Sequence, residues 1–190
     1  MHLTGGQFKG RIIPIPCGGE YERTVKPTLS KVRESVFNIL FSHFDDFSNL
    51  SFLDMFTGSG IMALEAYSRG FKNICAIEKN PKTFLSVQKI FCTFENNIKL
   101  IKGDSLKIIT KLEDFDIIYI DPPWDYEYEN IIKTAYKKLA KGGIMIIECD
   151  KKQDKKSAKP ACQKETPVGI QILPFKEKIY GRCKLDFYTK

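Results

Sequence analysis

The sequence of 190 residues has few of the side chains that metal sites and nucleophilic triads need. It contains two histidines, and its six cysteines form no C-x-x-C pair. We therefore expect reduced thiols, no metal site and no histidine-based triad. No stretch of 18 apolar residues is present, and residues 1–6 lack a basic region leading into an apolar one. These absences predict a cytoplasmic protein that does not cross a membrane.

The composition favours one domain with an appendage. A hydrophobic content of 43% over 190 residues supports one substantial core. The net charge of +7 favours a polyanionic partner such as nucleic acid. We predict a basic RNA-binding extension at residues 1–28 and a catalytic domain at residues 29–190. The basic residues expected to contact RNA are Arg11, Arg23, Lys26 and Arg33.

Helical and strand patterns alternate through the predicted catalytic domain. Apolar residues recur at helical spacing in 29–40, and helices are also predicted at about 60–70, 81–95, 105–112 and 128–140. Strands are predicted at 51–56, 73–78, 98–103, 115–121 and 143–149. This alternation indicates an α/β fold with a mostly parallel sheet covered on both faces. Two closing strands, at 176–180 and 184–188, predict an antiparallel hairpin beside it.

The segment Asp121-Pro122-Pro123-Trp124 ends the predicted strand at 115–121. In an α/β sheet, the carboxyl end of a strand opens onto the ligand crevice. The prolines stiffen the turn and leave an acceptor-rich site that suits an exocyclic amine. Trp124 offers a flat face on which a flipped base could stack. The segment is therefore typical of an enzyme that methylates a nucleobase amine, although a plain strand-ending turn is the alternative.

A glycine turn follows the first predicted strand of the domain. Gly58-Ser59-Gly60 separates residues 51–56 from a predicted helix, which indicates a nucleotide-binding entry. Glu78 ends the next strand, about 20 residues after Gly58, where a carboxylate can hold ribose hydroxyls. The segment Gly58-Ser59-Gly60-Ile61-Met62-Ala63 also satisfies the G-x-G-x-x-A dinucleotide pattern. A nicotinamide-dependent oxidoreductase therefore stays open on this evidence.

Asp104 and Ser105 follow the predicted strand at 98–103, beside the same crevice. Asp104 could accept a hydrogen bond from an adenine amine, but a single acid in this position is more often a helix N-cap. The lysine-rich stretch that begins at 151 predicts a loop, and we assign it no function.

Several segments together resemble the RsmD family. They are Gly5–Arg11, Lys26-Pro27-Thr28, Arg33-Glu34, Phe37-Asn38, Asp54–Gly60 and the Asp121 turn. Members of that family are S-adenosylmethionine-dependent methyltransferases that modify the N2 amine of guanine in 16S ribosomal RNA. The resemblance spans nearly the whole chain, with Trp124 where Tyr or Phe is usual and Lys26 where Arg is common.

The resemblance implies a Rossmann-like methyltransferase with a seven-stranded sheet, acting on guanine 966 within a small-subunit assembly particle. It places the cofactor's methionine part at Gly58, Ser59 and Gly60, the ribose at Glu78 and the adenine at Asp104, with Asp54 and Ser105 beside them. Asp121 and the Pro122 carbonyl would hold the target amine, and Asp121 could take its proton or only orient it. Alternatives are another RNA or DNA amino-methyltransferase, the oxidoreductase, and a catalytically silent RNA-binding assembly factor.

Overall fold

The computed structural model describes residues 1–14, 28–94, 98–123, 128–150 and 171–190, and the backbone of 164–165. The helices in these ranges are α1 (Ser30–Phe41), α2 (Ile61–Ser68), α3 (Pro81–Phe91), α4 (Ser105–Ile109) and α5 (Tyr128–Lys137). The strands are β1 (Ser51–Asp54), β2 (Asn73–Glu78), β3 (Lys99–Lys102), β4 (Phe115–Ile120), β5 (Leu139–Asp150), β6 (Lys164–Glu165), β7 (Gln171–Ile172), β8 (Lys176–Tyr180) and β9 (Cys183–Thr189).

Seven of these strands form one sheet in the order β3-β2-β1-β4-β5-β9-β8. The pairs from β3 to β5 are parallel, and β9 pairs antiparallel with both β5 and β8. The predicted mostly parallel, Rossmann-like sheet and its closing hairpin are therefore confirmed. Strands β6 and β7 form a separate antiparallel pair.

Apolar side chains cover both faces of the sheet. On one face, Phe52 and Tyr119 pack with residues of α1, α2 and α3. On the other, Leu53 and Ile118 pack with residues of α4 and α5. Because neighbouring strand residues point to opposite faces, the alternation along each strand decides on which side its last residue lies.

Several helices end earlier than the periodicity predicts. α3 ends at Phe91 rather than near 95, and α4 at Ile109 rather than 112. α5 stops at Lys137, and β5 begins at Leu139 inside the range predicted as helix. Backbone pairing explains this last change, because Leu139 is already in register with Phe115 of β4. Pairing with a distant strand is invisible to local periodicity.

Residues 1–14 form a compact arm on the α1, α2 and α3 side of the sheet. His2 and Ile12 form an antiparallel bridge, and Leu3 and Ile13 are buried in the core. The amide of Gln7 donates to the Ser68 carbonyl at the end of α2, 2.6 Å away. These contacts join the arm to the rest of the fold.

The paired glycines of the arm have a steric explanation. Gly6 has a φ of 76°, in the left-handed region. A Cβ added at Gly6 would lie 1.8 Å from the Ser68 carbonyl oxygen, and one at Gly5 would lie 2.6 Å from the Arg69 guanidinium. Close docking on α2 therefore requires a residue without a side chain at position 6.

A buried ionic network centred on Glu65 holds the arm in place. Glu65 of α2 is 0% exposed and forms ion pairs with Arg33, through Nε at 2.9 Å, and with Arg69. The Thr4 amide and hydroxyl both donate to Glu65 Oε1 at 2.9 Å. Arg33 also donates to the His2 carbonyl at 2.8 Å. The network thus connects the arm, α1 and α2.

Candidate functional site

Acidic side chains gather where parallel strands end. Asp54, Glu78 and Glu148 end or nearly end β1, β2 and β5, and Asp121 follows β4. Register pairs Asp54 with Tyr119 and Ile120 with Ile147. Alternation from the core residues of each strand puts all four acids on the α1, α2 and α3 face. The strand-end residues predicted for cofactor and amine binding therefore share one edge of the sheet.

The glycine turn between β1 and α2 is shaped by two left-handed residues. Gly58 and Gly60 have φ values of 49° and 78°. A Cβ on Gly60 would approach Phe91 and Val87 of α3 to 2.8 and 2.9 Å. Gly60 thus serves the turn and the close packing of α2 on α3. Ser59, between the glycines, is buried.

Glu78 is fixed by backbone amides at the end of β2. Gly58 N–H donates to its Oε2 at 3.1 Å, and Asn80 N–H donates to its Oε1 at 2.7 Å. Burial raises the pKa of the carboxyl above its ordinary value, while these amides act in the opposite direction. Each oxygen keeps a second lone pair, so a held carboxylate can still accept from ligand hydroxyls.

Asp54 lies deeper, below the glycine turn. It is 1% exposed, and Thr57 Oγ1 donates to its Oδ2 at 2.8 Å. Within the described ranges, its Oδ1 has no hydrogen-bond partner. Burial is the main reason that the pKa of Asp54 rises to about 7. A buried acceptor oxygen without a donor is suited to a cationic ligand group.

Asp104 and Ser105 connect β3 to α4. Asp104 is the N-cap of α4, with Oδ1 accepting from Leu106 N–H at 3.1 Å. Lys79 donates to its Oδ2 at 3.1 Å, which is the main reason that the pKa of Asp104 is lowered. Ser105 is buried and its hydroxyl donates to the Met55 carbonyl. That hydroxyl therefore ties the ends of β3 and β1 together.

The Asp121 turn faces the acids of the neighbouring strands. Burial first, and then the charges of Glu148 and Asp54, raise the pKa of Asp121 well above the ordinary value of a carboxyl. Pro122 is buried and Pro123 is exposed. Trp124, the predicted stacking residue, lies outside the described residues.

Glu148 was not among the residues predicted for the site. Its Oε2 accepts from Tyr119 Oη at 2.5 Å and its Oε1 accepts from Cys183 Sγ at 3.2 Å. The strand-end argument that selected Glu78 applies also to Glu148, which lies near the end of the strand predicted at 143–149. The missed signal was therefore present in the sequence.

The predicted RNA contacts have different surroundings. Arg11 is exposed, with its guanidinium 3.9 Å from the Phe94 ring centroid and donating to the Thr93 carbonyl at 2.8 Å. Arg33 is 2% exposed and paired with Glu65, so its guanidinium is used inside the protein. The predicted contact of Arg33 with RNA is therefore wrong, because the buried guanidinium cannot contact RNA. Arg23 and Lys26 lie outside the described residues.

The described ranges contain no group of three or more histidine, cysteine or acidic residues arranged to hold a metal ion. They also contain no helix long and apolar enough to cross a bilayer.

The chain is similar to known proteins in sequence and in structure. The family model described as Conserved hypothetical protein 95 matches residues 1–189. Ribosomal RNA small subunit methyltransferase D of Buchnera aphidicola subsp. Acyrthosiphon pisum is 31% identical, over 80% of each chain. The protein of the same name from Escherichia coli strain K12 is 29% identical, over 100% of this chain and 90% of that one. The solved structure of Escherichia coli yhhF has a TM-score of 0.78 at 24% identity, covering 100% of this chain and 97% of that chain.

Proposed function

Because the chain belongs to the Conserved hypothetical protein 95 family, we propose that it is an S-adenosylmethionine-dependent methyltransferase acting on the N2 amine of a guanine in 16S ribosomal RNA. The RsmD resemblance suggests guanine 966 as the target, within a small-subunit assembly particle. The observation that carries the proposal is the position of Asp121, which follows β4 beside Asp54 of the adjacent strand β1, at the edge of the sheet where Glu78 ends β2. An amine acceptor thus lies beside a nucleotide-binding turn.

The residues present suit S-adenosylmethionine. Asp54 Oδ1, buried and without a partner among the described residues, could receive the ammonium of the methionine part beside Gly58, Ser59 and Gly60. Glu78 has both oxygens oriented by amides and could hold the ribose hydroxyls. Asp104 could accept from the adenine amine, while Ser105 acts by positioning the loop. When bound, the cofactor supplies an electrophilic methyl group on a sulfonium sulfur.

Asp121 would hold and orient the amine that acts as the nucleophile. The lone pair of guanine N2 is shared with the ring, so the amine must be held with its lone pair directed at the methyl group. Asp121 and the Pro122 carbonyl accept the amine protons, and the two prolines restrict the turn that carries them. Such positioning of two reactants can supply about 7–11 kcal/mol. Trp124 would stack against the flipped base.

The basic extension is the proposed RNA contact, and the remaining chain the catalytic domain. Arg11 presents its charge on the outer side of the arm, and Arg23 and Lys26 follow it in sequence. Phosphate contacts of this kind position the substrate without reading its sequence.

Calorimetry and RNA mapping together test the proposal. The protein should bind S-adenosylmethionine and its demethylated product, and should not bind NADH. Small-subunit particles from cells lacking the protein should gain an N2-methylated guanine when the protein and S-adenosylmethionine are added. Binding of NADH alone would favour the oxidoreductase. Cofactor and RNA binding without methylation would favour the silent assembly factor.

A further inference from the structure

Glu148 is the acid of the strand-end row to which neither the cofactor nor the amine assigns a task. It lies on β5 next to Ile147, which is in register with Ile120 of β4. Continuing that register by one residue pairs Glu148 with Asp121. Neighbouring strands are about 4.8 Å apart, so the two carboxylates flank one space at the edge of the sheet.

The Glu148 carboxylate is held in a fixed orientation. Tyr119, on the adjacent strand β4, donates to Oε2, and Cys183, on the adjacent strand β9, donates to Oε1. Donors on both sides leave the carboxylate little freedom to rotate. The residue is nevertheless half-buried rather than enclosed, so a ligand in the crevice can reach it.

A carboxylate in this orientation can recognise a group with two donors. Each carboxylate oxygen has two lone pairs, and the Tyr119 and Cys183 protons occupy one on each oxygen of Glu148. The Watson–Crick edge of guanine presents two adjacent donors, N1–H and the N2 amine. The same edge of adenine presents an acceptor at N1, which a carboxylate would repel. Flipped bases are read on this edge.

We propose that Glu148 accepts a hydrogen bond from N1–H of the target guanine and shares one amine proton with the Pro122 carbonyl, while Asp121 holds the other amine proton. Glu148 is then the residue that selects guanine over bases with an acceptor at N1. This inference rests on the proposed function, since it concerns the base bound in the same crevice. The influence of Glu148 on the pKa of Asp121 agrees with the two groups facing one ligand.

A base analogue separates selection from chemistry. RNA carrying 2-aminopurine at the target keeps the exocyclic amine but has an acceptor at N1. The parent protein should methylate guanine about 10-fold to 10²-fold faster than 2-aminopurine at subsaturating RNA. In Glu148→Gln the amide can donate to N1 of the analogue, so the ratio should fall by at least about 10-fold. Glu113→Gln, which changes an exposed carboxylate, should keep the parent ratio.

The outcomes distinguish this inference from the proposed function. A Glu148→Gln protein that methylates guanine with the parent ratio overturns the role of Glu148 and leaves the proposed function standing. A parent protein that methylates no guanine in any particle overturns the proposed function itself.

The parent protein provides a second test that does not depend on a folded variant. RNA with inosine at the target keeps N1–H and lacks the amine, whereas RNA with 2-aminopurine has the opposite pattern. Inosine RNA should compete with the natural substrate more strongly than adenosine RNA, which has neither donor in place. Equal competition by the two RNAs would overturn the inference.

Discussion

The two ends of α2 use carboxylates in opposite ways. Near its last turn, Glu65 is fully buried between the guanidinium groups of Arg33 and Arg69. Before its first turn, at the end of β1, the buried Asp54 accepts one hydrogen bond, from the Thr57 hydroxyl. Its Oδ1 has no hydrogen-bond partner in the described ranges. The Glu65 carboxylate is thus paired within the protein, whereas the Asp54 carboxyl has an oxygen that can accept a hydrogen bond from a ligand.

The pKa values follow this contrast. Burial and neighbouring acids raise the pKa values of Asp54 and Asp121, which favours their neutral forms in the absence of a ligand. A cationic or donor-rich ligand would favour the ionised forms. At the strand-end edge, burial and neighbouring acids thus disfavour the ionised forms of Asp54 and Asp121, whereas at the arm interface two guanidinium groups pair with Glu65. Substitutions at either place test this difference.

We expect the largest effect on stability from removing Glu65, the centre of the ionic network at the arm interface. Glu65→Ala would leave two buried guanidinium groups without their shared carboxylate, and loss of one partner of a buried pair costs about 3–5 kcal/mol. The free energy of unfolding, measured by denaturant titration, should fall by that amount. Glu34→Ala, on the exposed face of α1, should change it by less than about 0.5 kcal/mol. Equal effects of the two substitutions would refute the structural role of the network.

At the strand-end edge, we expect the substitution Asp54→Asn to stabilise the protein. Asp54 has a pKa of about 7 in the folded protein against an ordinary 3.8, so its favourable contribution is present below pH 4 and is lost as the pH rises to 7. Asp54→Asn should therefore gain stability relative to the parent between pH 4 and 7, reaching at most about 4 kcal/mol at about 1.36 kcal/mol per pKa unit.

Thermal unfolding without cofactor, measured from pH 4 to pH 8, checks this expectation. Glu113→Gln, at an exposed carboxylate, serves as the control. A difference between Asp54→Asn and the parent that does not change with pH would contradict the assigned burial effect.

A feature of the structure can be predicted from the sequence when the residues that determine it are close together along the chain. Strand ends are local, so Glu78 and Asp121 could be placed at one edge from their own segments. The use of Arg33 could not, because its partner Glu65 is 32 residues away and the arm covers both. Helical periodicity does not reveal this pairing, because Arg33 is buried by residues far away in the sequence while its helix neighbours Lys31 and Glu34 stay exposed.

The glycines of the arm show the same limit. Gly5 and Gly6 could be recognised from the resemblance, while the reason for Gly6 is the Ser68 carbonyl of a helix more than 60 residues away. Glu148 is a different case. Its position near a strand end could be predicted from the sequence. Its partners Tyr119 and Cys183 could not, because they follow from the strand order β4-β5-β9.

Removing Asp121, the proposed amine acceptor, should affect methyl transfer more than cofactor binding. In Asp121→Ala, single-turnover methyl transfer should fall by about 10²-fold or more, with cofactor affinity little changed. Asp114→Ala, at the opposite end of β4, is the matched control. Because the raised pKa of Asp121 keeps it protonated at higher pH than an ordinary carboxyl, the parent rate should decline early as the pH is lowered. Parent-like transfer by Asp121→Ala would remove Asp121 from the reaction.

A smaller effect is expected at Glu78, the proposed ribose acceptor. Glu78→Ala deletes a carboxylate that is already oriented by Gly58 and Asn80, and S-adenosylmethionine binding should weaken by about 1–3 kcal/mol. Calorimetry measures the change, and Lys102→Ala, the exposed register neighbour on β3, should bind as the parent does. Unchanged affinity in Glu78→Ala would place the ribose elsewhere.

The smallest effect should come from the outer side of the arm. Arg11 is exposed, so removing it should leave the Glu65 network and cofactor affinity intact. If Arg11 contacts a phosphate, Arg11→Ala should lower the slope of log K for RNA binding against log salt concentration by about 1. Lys141→Ala, at an exposed lysine near the start of β5, should keep the parent slope. An unchanged slope in Arg11→Ala would mean that its guanidinium serves Phe94 and Thr93 alone, and that the arm is structural at both of its faces.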